Sequence, residues 1–303
     1  MIDDGARGRL RAIALGSRGA FLPSPRACYT WGMKTSLLVA MLLAASACSR
    51  TATVSPTTLP APAVAGEGGD ALIASARDDG RAAPAGGDVL ATSAGDVRIV
   101  PVYHGTLRLE IDGTTVWIDP WSQGDLSGPE ADYVLVTDVH PDHFDPAALE
   151  SVRKDDTVVV APAAVAEKVP GAVALANGES RAFGNLSVRA IPMYNLKRGP
   201  EEGKLYHDKG RGNGYLITIG DKVVYVSGDT ECTEEMKALE DVDVAFVSMN
   251  LPYTMPPSEA AVCVRAFRPK VLYPYHYRGS DLAELQADLA DVPEVEIRLR
   301  DWY

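Results

Sequence analysis

The chain has 303 residues, of which 46% are hydrophobic and 23% charged, and such a composition excludes a wholly disordered protein. Its formal net charge of −12 at pH 7 excludes broad attraction to nucleic acid or to anionic lipid, because both would repel the chain at long range. An anionic ligand must therefore be met by a local basic patch or by a metal ion.

The N-terminal third of the chain is predicted to be a targeting region. Residues 1–32 show no sustained periodicity, and Met33-Lys34 and an apolar run over residues 37–45 follow them. A basic start, about 7 to 15 apolar residues and small residues at the cut are typical of a signal peptide. We therefore predict a signal peptide over residues 33–48, with residues 1–32 as a mis-annotated extension. The apolar run is shorter than the 20 or so residues of a membrane-spanning helix.

The end of this segment, Ala45-Ser46-Ala47-Cys48, resembles the bacterial lipoprotein box, in which the cysteine becomes lipid-modified. The resemblance implies an exported lipoprotein that faces the periplasm or the cell surface and is anchored to the membrane through Cys48. Ordinary secretion, or a cytoplasmic protein with a fortuitous apolar run, are the alternatives. Residues 49–95 are rich in Ala, Pro, Gly and Ser and are predicted to be a disordered tether, because they bury too little apolar surface to offset ordering.

Short apolar strands separated by turns predict a folded domain over residues 96–303. Asp112-Gly113 indicates a hairpin, since glycine accepts the positive φ of a tight turn, and Asp145 with Pro146 indicates a helix start. The predicted strands are 97–104, 107–111, 114–118, 133–137, 157–160, 186–193, 215–219, 223–227, 244–249, 271–275 and 295–300, and the predicted helices are 146–152, 163–168, 234–239, 258–267 and 281–289. Strands with interspersed helices in both halves predict an α/β fold, an αββα sandwich of two mixed sheets flanked by helices.

Two imidazoles and two carboxylates follow the strand 133–137 within six residues. They are Asp138, His140, Asp142 and His143. Further metal-ligand types follow later strands at Asp229 and His276, and the loop between the strands supplies Asn195 and His207. A divalent metal lowers the pKa of its bound water to about 7, and two metals about 3.5–4 Å apart can share the hydroxide. The pattern predicts a metal-dependent hydrolase.

The segments Asp138-Val139-His140-Pro141-Asp142-His143, Gly228-Asp229-Thr230, Pro274-Tyr275-His276 and Ile118-Asp119-Pro120 resemble the metallo-β-lactamase superfamily in order and spacing. Within it, the chain is most similar to the branch that contains ascorbate-phosphate lactonase and uncharacterised metal-dependent hydrolases. The resemblance covers about residues 96–303. It implies the αββα fold and a dinuclear metal site.

Two positions depart from the superfamily pattern. Asp138 stands at the first motif histidine, and Tyr194-Asn195 stands where a histidine is usual after the strand 186–193. In one interpretation His207 and Asn195 replace the lost imidazole, giving an oxygen-richer site that favours manganese or iron over zinc. In the other, the site holds one metal firmly and a second weakly.

The predicted ligands are Asp138, His140 and His207 for one metal, Asp142, His143 and His276 for the other, and Asp229 as a bridge. Asp142 and Asp229 are the predicted catalytic residues, and the resemblance suggests that Asp142 orients the attacking hydroxide. Asp119 either caps a turn or orients a ligand histidine through its other ring nitrogen, and the second role is the prediction. His104 is predicted to be structural or to support the ligands from behind.

Two features outside the ligand set remain open at this point. The loop from Lys197 to Arg211 carries five basic and three acidic residues, and it either receives phosphate or carboxylate or is a solvated face. Cys232 and Cys263 either pair in an oxidising compartment or are isolated small buried residues.

The leading hypothesis is a hydrolase in which a metal-bound hydroxide attacks the carbonyl or phosphoryl centre of a small, anionic molecule. The alternative is a noncatalytic surface lipoprotein that binds metal in a degenerate hydrolase fold. A nuclease is disfavoured because the chain lacks a basic surface. Oligomeric state and substrate identity do not follow from the sequence.

Overall fold

Two β-sheets form the centre of the structure, a computed structural model that describes residues 87–303. The predicted extension, the signal peptide with Cys48, and residues 49–86 of the predicted tether lie outside the described residues. Each sheet has seven strands, and in each sheet the strands follow one another in chain order. Such a topology keeps the strand connections short.

The first sheet is antiparallel over its first four strands and parallel afterwards. Its strands are β1 (Asp88–Leu90), β2 (Val97–Tyr103), β3 (Thr106–Ile111), β4 (Thr114–Ile118), β5 (Ala131–Leu135), β6 (Arg153–Ala161) and β7 (Val173–Ala174). Its helices are α1 (Pro146–Val152) and α2 (Ala163–Ala166). The Asp145 carboxylate caps α1 by accepting from the backbone N–H groups of Ala147 and Ala148, so the predicted helix start is confirmed.

The second sheet is antiparallel from β8 to β11 and parallel from β11 to β14. Its strands are β8 (Ser180–Phe183), β9 (Leu186–Met193), β10 (Gly212–Ile219), β11 (Lys222–Val226), β12 (Val244–Ser248), β13 (Val271–Tyr275) and β14 (Glu296–Ile297). Its helices are α3 (Glu234–Lys237), α4 (Pro257–Phe267) and α5 (Leu282–Asp288).

Three apolar clusters show how the layers pack. The central cluster joins both sheets face to face, with Leu109 of β3 and Ile217 of β10 among its members. Leu149 of α1 belongs to a second cluster on the outside of the first sheet. Val264 of α4 and Leu285 of α5 belong to a third on the outside of the second sheet. The predicted αββα sandwich of two mixed sheets is confirmed.

The domain begins earlier than the predicted boundary at residue 96. Strand β1 lies inside the predicted tether but pairs with β2. The prediction of disorder is therefore wrong for residues 88–90. The buried Asp88 carboxylate accepts two hydrogen bonds of 2.9 Å from the Arg300 guanidinium and one of 2.8 Å from the Tyr273 hydroxyl. These partners lie far along the chain, and local composition does not show them. Among residues 87–303, no helix is long and apolar enough to cross a membrane.

Candidate metal centre

The predicted ligands converge beyond the carboxyl ends of the central strands. β5 leads into the segment from Asp138 to His143, β11 into Asp229, and β13 into His276. His207 comes from the loop between β9 and β10, and His104 directly follows β2. The structure therefore brings all seven predicted ligand residues together, and it adds His104 to them.

His143, Asp229 and His276 form the buried heart of this centre. The Nε2 atoms of His143 and His276 each lie 3.4 Å from an oxygen of Asp229. Within residues 87–303, those two Nε2 atoms and Oδ1 of Asp229 are buried without a hydrogen-bond partner. Leaving buried polar atoms unpaired is costly. Imidazole and carboxylate donors of this kind fit a divalent metal ion.

A second group of possible ligands consists of Asp138, His140 and His207. Nε2 of His207 also lacks a hydrogen-bond partner among the described residues and lies 3.5 Å from Oδ2 of Asp229. Burial lowers the pKa of His207 to about 4, so its ring is neutral at pH 7 and can offer a lone pair. His207 thus lies near the same oxygen of Asp229 as His143 does.

Asp138 differs from the other ligands because its carboxylate is already paired. It accepts a forked pair of hydrogen bonds from Arg211, of 3.1 Å at Nε and 2.9 Å at Nη2, and it lies 2.9 Å from Nδ1 of His140. Burial opposes the charge of Asp138, but the hydrogen bond to His140 and the imidazoles of His143 and His207 lower its pKa to about 2. The Arg211 guanidinium occupies much of the acceptor capacity that a metal would use.

A third group joins the predicted ligands Asp142 and His276 to His104, which the sequence analysis assigned only a structural or supporting role. Nε2 of His104 lies 3.3 Å from Oδ2 of Asp142, and the ring centroids of His104 and His276 are 3.6 Å apart. Burial lowers the pKa of His104 to about 4. Gly105 allows this close approach, since a Cβ there would lie 3.3 Å from His276 and 3.5 Å from His143.

Hydrogen bonds to the Nδ1 atoms orient the imidazole rings of two predicted ligands. Oδ2 of Asp119 lies 2.8 Å from Nδ1 of His143, which is the orienting contact predicted for Asp119. Oδ1 of Asn195 lies 2.7 Å from Nδ1 of His207, and its amide donates to the Tyr253 carbonyl oxygen at 2.8 Å. The interpretation of Asn195 as a replacement ligand is therefore wrong. It orients His207 instead.

Backbone conformation at the centre is strained. His104, Asp119 and His276 have φ angles of 53°, 45° and 47°, in the left-handed region that favours glycine. Each such residue costs roughly 1–3 kcal/mol and persists only where the surrounding structure imposes it. The strain therefore falls on three residues that either carry an imidazole of the centre or orient one.

The loop from Lys197 to Arg211 does not present free positive charge. Each of its cations has an acidic partner. The pairs are Lys197 with Glu259, Arg198 with Glu231 and Glu259, Lys204 with Glu201, Lys209 with Glu235, and Arg211 with Asp138. These ion pairs compensate the charge of the loop, and Lys197, Lys204 and Lys209 are mostly exposed, so the structure favours the interpretation of the loop as a solvated face.

A cavity of about 720 Å³ opens onto the metal-facing side chains. Its polar wall includes His140, Asp142, His207, Asp229 and His276. Its other wall is largely aromatic and aliphatic, with Trp121, Tyr206, Leu251, Pro252 and Tyr253. The size and the mixed lining suit a small molecule.

Comparison with known families adds an independent observation. The model of the β-lactamase superfamily domain matches residues 98–276, more than half of the chain. The chain belongs to the metallo-β-lactamase superfamily. The superfamily match begins in β2 and ends at His276, so it contains all of the predicted metal ligands.

The match with individual relatives extends over most of each relative's length. The chain is 29% identical over 191 residues to a metal-dependent hydrolase of Anoxybacillus flavithermus, covering 58% of this chain and 84% of that one. It is 30% identical over 190 residues to one of Geobacillus thermodenitrificans, with the same coverage of 58% and 84%. A solved structure from Parabacteroides distasonis, of a protein proposed to be a metal-dependent hydrolase, has a TM-score of 0.67 and 38% identity, covering 71% of this chain and 99% of that one.

Proposed function

We propose that this member of the metallo-β-lactamase superfamily is a metal-dependent hydrolase that uses water to cleave a carbonyl or phosphoryl bond in a small, anionic substrate. The observation that carries the proposal is the convergence of His143, Asp229 and His276, whose buried Nε2 and Oδ1 atoms lack hydrogen-bond partners within residues 87–303. The relatives named as metal-dependent hydrolases support the same activity.

A divalent metal bound here would lower the pKa of water and polarise the substrate oxygen. The protein residues have separate tasks. His143, His276 and Asp229 would hold the ion, and His207 approaches the same aspartate. The side chain of Asp142 is 30% exposed, lines the cavity and is ionised, because burial is outweighed by the imidazoles of His143, His104 and His276, which lower its pKa. Asp142 is thus placed to orient water and to receive its proton.

The two interpretations of metal content are not equally supported. The atoms most available to bind a metal are those without hydrogen-bond partners among residues 87–303, on His143, Asp229 and His276. At the Asp138 side, the Arg211 guanidinium opposes a second cation by charge and competes for the same carboxylate. We therefore propose one firmly bound and one weakly bound metal. Zinc, manganese and iron remain the candidates for both.

Replacement of Asp229 tests the function. We expect Asp229→Asn to lose most of its bound metal and nearly all turnover of carboxylic and phosphoric ester probes, because this carboxylate contacts ligands on both sides of the centre. Elemental analysis of protein purified without chelator measures the metal. The exposed Asp221→Asn variant is the matched control. Unchanged metal content in Asp229→Asn would contradict the assignment.

The noncatalytic alternative is favoured by one observation, the pairing of Asp138 with Arg211, which weakens one of the two metal positions. A protein of this kind would bind metal tightly but hydrolyse no ester, amide or lactone with zinc, manganese or iron. A substrate screen with each metal in turn distinguishes the two functions, since any metal-dependent turnover that Asp229→Asn abolishes excludes the alternative.

We also propose that the protein is exported and held at the membrane through a lipid on Cys48. Cys232 and Cys263 form a disulfide, which is expected in an oxidising compartment and rare in the cytoplasm. Cys48→Ser should move the protein from the membrane fraction to the soluble exported fraction. If the variant stays with membranes as the wild type does, the anchor is not Cys48.

A further inference from the structure

Among residues 87–303, Arg278 is the only arginine or lysine that lines the cavity. It lies in the turn after β13, two residues beyond His276. Its Nη2 donates to the Tyr103 hydroxyl at 3.1 Å, and its guanidinium carbon lies 5.4 Å from the centre of the Tyr303 ring. Within residues 87–303 it forms no ion pair with a carboxylate, so phenol and ring contacts leave its charge uncompensated.

The other cations near the centre differ in this respect. Arg211 pairs with Asp138 at 2.9 Å, and Arg198 pairs with Glu259 at 2.7 Å. Neither lines the cavity. A planar guanidinium with free donors binds a carboxylate or phosphate through two parallel hydrogen bonds. Among the side chains that line the cavity, Arg278 would therefore form the strongest hydrogen bonds to an oxyanion.

The turn that carries Arg278 is fixed relative to the metal-facing imidazoles. The Tyr303 hydroxyl accepts a hydrogen bond of 2.8 Å from the Arg278 backbone N–H and also lies 2.8 Å from Nδ1 of His104. The rings of Tyr103 and Tyr303 pack edge to face, with centroids 5.7 Å apart. Holding a binding group in place before the ligand arrives reduces the ordering cost of binding.

The cavity wall between Arg278 and the metal-facing side chains is largely apolar, so it can contact the apolar part of a substrate. Trp121 lines it together with Leu251 and Tyr253, whose side chains are 49% and 46% exposed. We infer that Arg278 binds a terminal oxyanion of the substrate and so selects small molecules with an apolar body, one carboxylate or phosphate end, and the scissile group at the metal. This inference rests on the proposed function, since it takes the metal centre as the reacting end.

A pair of probe molecules tests Arg278 without turnover. Glutarate and its half-amide, glutaramate, share one carboxylate that can meet the metal, but only glutarate offers a second charge to Arg278. Calorimetric titration of the metal-loaded full chain should show glutarate binding about tenfold more tightly, the size of one charge-assisted hydrogen-bonded contact. Succinate and adipate with their half-amides extend the test to other lengths. A larger preference for 3-phosphonopropionate would assign the oxyanion as phosphate.

We expect Arg278→Gln to abolish the preference for the second charge, whereas Arg278→Lys keeps part of it because the charge remains without the fork. Arg181→Gln, an exposed arginine of β8 outside the cavity, is the matched control and should leave the preference unchanged. Equal binding of acid and half-amide by the wild type at all three lengths, or a preference that survives in Arg278→Gln, would overturn the inference. Absence of hydrolysis would count against the proposed function alone, because the titration requires no reaction.

Discussion

At the scale of single residues, Asp119 acts on the metal centre only through His143. It is fully buried, and Thr137 donates to it from both its backbone N–H at 2.7 Å and its hydroxyl at 2.5 Å. These contacts fix the carboxylate, and the carboxylate in turn fixes the ring. Sequence alone predicted this role because Asp119 lies in a family motif directly after a strand.

We expect Asp119→Asn to lower metal affinity by about 10- to 100-fold, the usual effect of losing a carboxylate partner of a ligand histidine. Competition with a chromogenic chelator measures the affinity. Asp156→Asn, at an exposed position in β6, controls for the loss of one negative charge. Equal affinities in the two variants would show that His143 does not need Asp119 to bind metal.

Arg211 is the residue whose role sequence reasoning missed. It lies 73 positions from Asp138, and a loop arginine gives no local sign that it will meet a buried carboxylate. We expect Arg211→Gln to bind close to two metal ions per chain. The substitution removes a cation that competes for the Asp138 carboxylate, and that carboxylate then needs another positive partner.

Metal titration followed by elemental analysis measures this stoichiometry. Lys209→Gln removes a charge from the same loop, but its partner is Glu235, so it should leave the stoichiometry at the wild-type value. If Arg211→Gln binds no more metal than Lys209→Gln does, Arg211 does not limit the second position.

At the scale of secondary-structure elements, sequence patterns worked best where burial and local signals agreed. The bounds of β4, β9 and β13 match the prediction. All three lie in the interior of a sheet, where β13 is a continuous apolar run and β9 keeps its buried positions apolar. β1, β7 and β8 were missed, because they are short edge strands whose pairing partners alone define them. Helices α2 and α3 end earlier than predicted, after a single turn.

Helix α4 is tied to the loop after β9 by Glu259, in its first turn. Hydrogen bonds from Arg198 lower the pKa of Glu259 to about 2 against the opposing effect of burial, and Lys197 adds to the lowering. The folded pKa lies below the unfolded value of about 4.5, so the stabilisation is complete above pH 4.5 and is lost as the pH falls toward 2.

We therefore expect Glu259→Gln to lower the free energy of unfolding most at neutral pH, with a difference from wild type that shrinks between pH 4.5 and 2. Urea denaturation at several pH values measures it. Glu284→Gln, exposed in the first turn of α5, should show no such pH-dependent difference. A constant difference for Glu259→Gln across this range would mean that the ion pairs with Arg198 and Lys197 do not stabilise the fold.

At the scale of the whole molecule, the Cys232–Cys263 disulfide joins the segment after Asp229 to helix α4. The sequence left this pairing open, since two cysteines 31 positions apart give no sign of their distance in space. Closing a loop of this length stabilises the folded state by about 3–4 kcal/mol in the chain-entropy model.

The Cys232→Ser and Cys263→Ser double variant should therefore lose about 3–4 kcal/mol in its free energy of unfolding, measured by urea denaturation. Reducing agent should destabilise the wild type and leave the double variant unchanged. Insensitivity of the wild type to reducing agent would indicate that the two thiols are free in solution.

The left-handed backbone at His276 sets resistance to heat against catalysis. Glycine adopts such a φ angle without steric cost, and replacing His276 would also remove two buried ring nitrogens that lack hydrogen-bond partners among residues 87–303. In laboratory evolution for thermal tolerance alone, we expect glycine to accumulate at this position and metal binding to disappear from the surviving lineages.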